Sequence, residues 1–271
     1  MSKILDPPYV YFSGDNVEKH TKAQHYIAIQ QKLTERAIEL MKLDVDYPPL
    51  ILDIGCGSGI GGEMINGKGG IFVGVDIAPE MLMAALEEKD VPYNSFVRCD
   101  AGAGVPFRPG VFDGAVGIDV LRWILQPIPE GETVPKRLRK FFESVHGSLC
   151  CGGKAIFNFH PDTPDQAELL SSTATMCGFA GGIQIDFPNS SKAKVHWLVL
   201  EVGGAVSNAE SSDIVVGCRN VESFQKPRHN HEHKGFNKKE WIIKKKERQR
   251  LLGVKVAHDS KYTGRSRRRW I

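Results

Sequence analysis

From Val17 to about Leu43 apolar residues recur every third or fourth position, with Ile29, Leu33, Ala37, Leu40 and Met41 on one face. This predicts an amphipathic helix that Tyr47-Pro48-Pro49 terminates. Ahead of it residues 1 to 15 read as irregular; Tyr9, Tyr11 and Phe12 either form a lid or staple that helix down. Past the prolines the period changes. Leu50 to Ile54 is a short apolar run of the kind a buried strand makes, followed by a helix over about Ile60 to Ile65 and a strand over Ile71 to Val75. Next come a helix opening at Ala78-Pro79, strands at about Ser95 to Arg98 and Ala115 to Ile118, and a helix from Val134 to Gly147. Gly152-Gly153 reads as a turn into a strand from Lys154 to Phe159, and Pro164 to Met176 as another helix. Ile183 to Phe187 and Ala193 to Leu200 close the series as a hairpin pair. Strands alternating with helices build a sheet covered on both faces, so the pattern predicts an α/β fold with a doubly wound, seven-stranded, mostly parallel sheet.

The first strand runs into Asp53-Ile-Gly55-Cys56-Gly57-Ser58-Gly59, a loop whose glycines allow positive φ and let a ligand lie against the main chain. A P-loop would need Gly-Lys-Ser/Thr after these glycines, and Gly59-Ile60-Gly61 stands there instead. Gly57, Gly59 and Gly62 loosely satisfy the dinucleotide spacing. Asp53 separates the remaining readings, because a carboxylate at the strand end repels a pyrophosphate and attracts a cofactor with a positive methionyl end. The loop therefore resembles the first motif of the class I S-adenosylmethionine-dependent methyltransferases, which have a Rossmann-like fold.

Asp76, 17 residues beyond Gly59 at the end of the second strand, stands where such a sheet presents groups to a ribose. Its other reading is a helix cap, although Pro79 at the first helical position leaves Ala78 nearer the cap. Asp100-Ala101 follows the third strand; in the same family that carboxylate lies against the adenine amine, and otherwise Asp100 is a turn residue before Gly102. After the fourth strand, Asp119, Arg122 and Trp123 occupy the turn where substrate-facing groups sit, with Trp123 either stacking on a base or joining the core.

Composition adds a division of the chain. With 271 residues and 41% apolar content there is enough for one α/β core and an appendage. We read 1–49 as N-terminal lid and helix, 50–201 as the catalytic domain, 202–235 as linker and 236–271 as a basic tail. No apolar run suits a membrane span or signal peptide, and six cysteines without Cys-x-x-Cys spacing fit reduced thiols, so an intracellular soluble protein is expected. His229, His231 and His233 alternate without a completing ligand set, so no metal is expected. From Arg219 onward seventeen Lys and Arg face five Asp and Glu, whereas the body is net acidic. Such a tail implies a polyanionic partner or a nuclear address. Lys244, Lys245, Lys246, Arg248, Arg250, Arg265, Arg267, Arg268 and Arg269, interleaved with Tyr262 and Trp270, are the candidate RNA contacts.

Longer segments narrow the resemblance. "GVDIAPEML", "PFRPGVFDG", "QAELLSSTATMCGFAGG", "DFPNSSKAK" and "KYTGR", with "LDIGCGSG", closely resemble the eukaryotic small-subunit rRNA guanine-N7 methyltransferases of the Williams-Beuren-region type. The resemblance implies methyl transfer from S-adenosylmethionine to N7 of one guanine during small-subunit biogenesis, in nucleus and nucleolus and also in cytoplasm. It implies cofactor contacts at Asp53, Gly55, Cys56, Gly57, Asp76, Ile77, Asp100, Ala101 and Ile118. It also implies two kinds of partner: the small-subunit pre-rRNA and pre-ribosome, and a small zinc-binding methyltransferase activator subunit along strand 94–99. Asp119 and Arg122 replace small polar residues of the family pattern, and residues 202–235 match it poorly. N7 carries a free lone pair, so no catalytic base is required; Asp119 is either a stabiliser of the positive purine or a helix cap. An assembly factor whose presence alone matters, and a small-molecule methyltransferase, are the competing functions.

Overall fold

The computed structural model describes residues 6–88, 95–126, 132–190, 193–203 and 214–215, and positions 243, 246 and 258. The order is α1 (Pro8–Tyr11), α2 (Asp15–Lys22), α3 (Gln24–Met41), β1 (Leu50–Ile54), α4 (Ile60–Gly67), β2 (Ile71–Asp76), α5 (Pro79–Glu88), β3 (Ser95–Arg98) and β4 (Phe112–Ile118). Then follow α6 (Leu121–Ile124), α7 (Val134–Ser148), β5 (Leu149–Phe159), α8 (Pro164–Met176), β6 (Phe179–Asp186), β7 (Val195–Val202) and β8 (Ile214–Val215). The sheet runs β3-β2-β1-β4-β5-β7-β6-β8. Strands β1 to β5 are parallel; β7 lies antiparallel between β5 and β6. The seven expected strands form the doubly wound sheet.

Alternation along each strand sends successive residues to opposite layers. Leu52, Ile54, Phe157, Phe159 and Leu198 pack with Phe141 and Phe142 of α7 on one face. Ile51, Phe72, Val116, Ile156 and Trp197 pack with Ala37 and Met41 of α3 on the other. With both faces covered, β1 is buried along nearly its whole length, which is why its sequence is apolar at every position but Asp53 and does not alternate.

Several boundaries differ from expectation. The first long helix is two, broken at Ala23, whose ψ of 110° is extended; the Thr21 hydroxyl donates back to the Val17 carbonyl at 2.9 Å in the last turn before the break. Pro8–Tyr11 is helical rather than irregular. The Gly152-Gly153 turn is instead a bulge inside β5: Phe112 pairs with Leu149 and Gly114 with Lys154, so two steps on β4 face five on β5. β6 begins at Phe179, four residues before the expected Ile183, and ends one residue before Phe187. Ile214–Val215, in the expected linker, pairs with β6. The chain divides into units Met1–Ser223, which holds this sheet, and Phe224–Ile271, where Ile243 and Lys246 are helical.

One polar cluster ties the helical layer to the antiparallel edge. Asp186 accepts from Arg36 Nε at 2.8 Å and Nη2 at 3.0 Å, and from Trp197 Nε1 at 3.0 Å. The Arg36 guanidinium, foremost, holds the Asp186 carboxyl below its usual value. A depressed carboxyl stabilises the fold above its unfolded pKa, about 3.9, and that stability is lost as pH falls through the folded value. R36M is therefore expected to cost roughly 1 kcal/mol at pH 7, a drop of about 2–4 °C in Tm. In thermal melts the gap from wild type should close below about pH 4.

Candidate functional site

The carboxyl ends of β1, β2 and β4 and the segment after β3 meet at a cleft, as doubly wound sheets place their ligand sites. Gly55, Gly57 and Gly59 take φ of 72°, 52° and 78°, which only glycine adopts freely. The loop is strapped to β2: Gly55 and Cys56 donate to the Val75 carbonyl at 2.8 and 3.1 Å, and Gly57 donates to Asp76 Oδ2 at 2.8 Å. A Cβ on Gly55 would come within 3.1 Å of Val120 and one on Gly57 within 3.1 Å of Met81, tight contacts added to the strain any side chain meets at these φ values.

Asp76 Oδ1 accepts from the Ala78 N–H at 2.8 Å, a turn contact ahead of the helix that leaves Ala78 nearest the cap of α5 and coexists with the loop contact. Burial pushes its carboxyl up, and the Ala78, Gly57 and Ile77 N–H groups oppose the shift. Four lone-pair sites on a carboxylate leave acceptor capacity beyond these two bonds. Asp100 likewise does two things. Its Oδ1 accepts from Gly102 N at 2.9 Å, the turn role, and both oxygens are gripped by Arg137 at 3.0 and 3.1 Å. Arg137, 8% exposed, is a wall residue that the sequence presented only as part of a basic helix start.

Gly55, Cys56, Gly57, Asp76, Ile77, Asp100, Ala101 and Ile118 all line the cleft. Asp53 does not. It is 4% exposed under the first turn of α4, where a Cβ on Gly61 would come 2.6 Å from Asp53 Oδ2. Its charge faces the positive end of a helix. The Cys56 thiol is buried and its pKa raised by that burial, so it serves as wall rather than nucleophile.

On the substrate side, Pro8, Phe12, His20 and Gln30 close the cleft from α1 to α3, which favours the lid reading of the N-terminal aromatics. Trp123 lines the cleft half-buried, its ring 5.3 Å from Tyr11 and 5.4 Å from Phe12, so it belongs to the lid contact and not to the core. Asp119 also lines the cleft. It has φ 57° and is not a cap, since Val120 precedes α6. Its oxygens lie 3.8 Å from Arg122 Nη1 and 3.9 Å from His160 Nδ1. Arg122 stays exposed, its guanidinium 5.8 Å from the centre of the Trp123 ring. Burial, then Lys19, lowers the His20 pKa, leaving a neutral ring at pH 7. Of the basic tail candidates, Lys246 is half-buried and donates to the His258 carbonyl at 3.3 Å; the other eight, and the three alternating histidines, lie outside the described residues.

Known proteins share this arrangement. A model described as "Methyltransferase domain" matches residues 52–157, and one described as "Methyltransferase involved in Williams-Beuren syndrome" matches residues 200–269. The magnesium protoporphyrin IX methyltransferase of Synechocystis, solved with bound SAM, superposes with a TM-score of 0.54 at 16% identity over 74% of this chain and 100% of that one. A protein from Pyrococcus horikoshii gives 0.53 at 20% identity over 71% and 98%. The fold is thus that of a class I SAM-dependent methyltransferase. Over nearly its full length the chain is 38% identical to the mouse 18S rRNA (guanine-N(7))-methyltransferase, covering 97% of this chain and 95% of that one. It is 36% identical to the Schizosaccharomyces pombe and 35% to the Saccharomyces cerevisiae enzymes, each with 97% coverage both ways. The chain belongs to the 18S rRNA (guanine-N7)-methyltransferase family.

Proposed function

We propose that this protein methylates N7 of a guanine in 18S-type rRNA, using S-adenosylmethionine, as a step in building the small ribosomal subunit. The observation that carries the reading is the full-length kinship joined to a cleft whose walls fit the cofactor: a cradle of glycines at positive φ, and a carboxylate with spare acceptor capacity one strand away. Asp76 holds the ribose hydroxyls. Ile77, Cys56 and Ile118 form the walls, the backbone of Gly55, Gly57 and Ala101 allows close approach, and Asp100, oriented by Arg137, meets the adenine edge. Asp53 acts indirectly, by fixing the start of α4.

When bound, the cofactor supplies an electrophilic methyl group. Guanine N7 has its lone pair free, so the protein has no proton to remove and contributes alignment and charge. Trp123, beneath the α1–α2 lid, and Asp119 hold the base, and the Asp119 carboxylate offsets the positive charge that develops on the purine. Arg122 at the rim and the tail residues 236–271 hold RNA phosphates.

A small activator subunit completes the picture, bound along residues 94–99. Among the described residues β3 ends the sheet, and an edge strand left unpaired seeks a partner. Met83 and Leu86 of the neighbouring α5 are 55% and 58% exposed, apolar surface that such a subunit would cover. The place of work is the nucleus and nucleolus, with a cytoplasmic share. The test incubates the chain, joined to its activator, with labelled S-adenosylmethionine and unmodified small-subunit precursor RNA, then maps N7-methylguanine by borohydride and aniline cleavage. One labelled cleavage site is expected; no transfer to the RNA refutes the assignment.

A further inference from the structure

The β6–β7 loop holds a sequence the cofactor cleft does not use, Asp186-Phe187-Pro188-Asn189-Ser190 and, beyond it, Lys194. Register fixes its place. Ile118 of β4 pairs with Asn158 of β5, Asn158 with Trp197 of β7, and Trp197 with Gln184 of β6. Because Ile118 lines the cleft, the residues that follow the ends of β4, β5 and β6, one, two and three positions past this level, emerge at the reaction end of the sheet. They are Asp119, His160 and Phe187.

Phe187 is unusual in two ways at once. Its φ of 54° is one that bulky L residues rarely adopt, yet its side chain is 67% exposed, so no burial compensates for the strain. Neighbours impose the conformation: Asp186 is clamped by Arg36 and Trp197, Ser190 N donates to the Phe187 carbonyl at 3.0 Å, and Ala193 N donates to Ser190 Oγ at 3.0 Å. Strain held in place this way gathers at ligand sites. The surroundings are cationic or titratable, since Lys194 and His160 are both exposed. Sheet spacing puts β6 about 14 Å from β4, too far for the target base and near enough for the nucleotides beside it.

We propose that Phe187 is a stacking platform for an unpaired base flanking the target guanine, with Lys194 holding the adjoining phosphate; this rests on the rRNA reading above. A phenyl face stacks on any base and offers no hydrogen bonds, so the contact positions the RNA without reading its sequence. Steady-state transfer to unmodified small-subunit RNA, by the full chain joined to its activator, tests the loop. F187A should raise KM for RNA roughly tenfold, far more than it changes kcat, with S-adenosylmethionine affinity unmoved and F187W restoring KM. F187G should share the RNA defect with a Tm no lower than wild type, because glycine accepts this φ without strain. An unchanged KM in F187A overturns the proposal. So does a Tm several degrees lower in both variants, which marks a packing role, or loss of the activator from F187A in a pull-down, which marks a protein contact. If the wild-type complex transfers no methyl, the rRNA reading falls, and RNA affinity by fluorescence anisotropy still decides whether Phe187 contacts RNA.

Discussion

D76A is expected to raise the dissociation constant for S-adenosylmethionine by about two to four powers of ten and to abolish methyl transfer at ordinary cofactor concentrations. Each hydrogen bond from a ribose hydroxyl to an ionised carboxylate is worth about 1.5–3 kcal/mol, and two are lost together. The cradle suffers as well. Gly57 and Ala78 both donate to this side chain, at 2.8 Å each, so alanine leaves two backbone N–H groups without their acceptor beside the cofactor. D76N should recover little: whichever way the amide turns, its NH2 group faces one of those donors. Isothermal calorimetry on the folded variants reads the result directly. A dissociation constant within threefold of wild type would show that Asp76 serves the loop and the start of α5 alone.

The cradle and the strand ends were legible because they depend on local chemistry: glycines where φ must be positive, and carboxylates where parallel strands stop. Eight of the nine expected cofactor residues duly meet in the cleft. What stayed hidden was set by contacts far apart in sequence. Arg137 pairs with Asp100 across 37 positions, and nothing in a run of four basic residues at the start of α7 marks which one turns inward. The place of Asp53 was hidden for the same reason, since a carboxylate at a strand end can point up to the ligand or back beneath the next helix. The Gly152-Gly153 pair carries the usual turn signal, yet pairing with β4 overrides it and makes a bulge. Gly181 lies ahead of the strand expected from Ile183, yet in β6 it marks a close approach: a Cβ there would collide with the Val199 carbonyl of the neighbouring strand. Phe12 and His20 reach the cleft only because the helical layer breaks at Ala23, a break with no proline or glycine to announce it.

Deleting residues 236–271 is the second change with a large expected effect, and salt is the variable that exposes it. The body of the chain is net negative and repels a polyanion, so RNA affinity rests on the tail's clustered cations. Suppose about six of the nine candidate lysines and arginines each neutralise one phosphate of an unpaired strand. The logarithm of the binding constant then falls against the logarithm of salt with a slope of about −4, and affinity drops roughly 300-fold between 50 and 200 mM salt. Fluorescence anisotropy with unmodified small-subunit RNA should show this slope for the full chain and a shallower one, about −1.4 from Arg122 and Lys194, for the truncated one, which should bind about a hundredfold or more weakly at the lower salt. S-adenosylmethionine affinity should be the same for both, because the whole cradle lies before residue 138. That second measurement separates lost RNA contacts from a damaged fold. If the truncated protein instead binds RNA with the full affinity and the full salt slope, the basic residues are an address for the nucleus, and the RNA is held by the body of the enzyme alone.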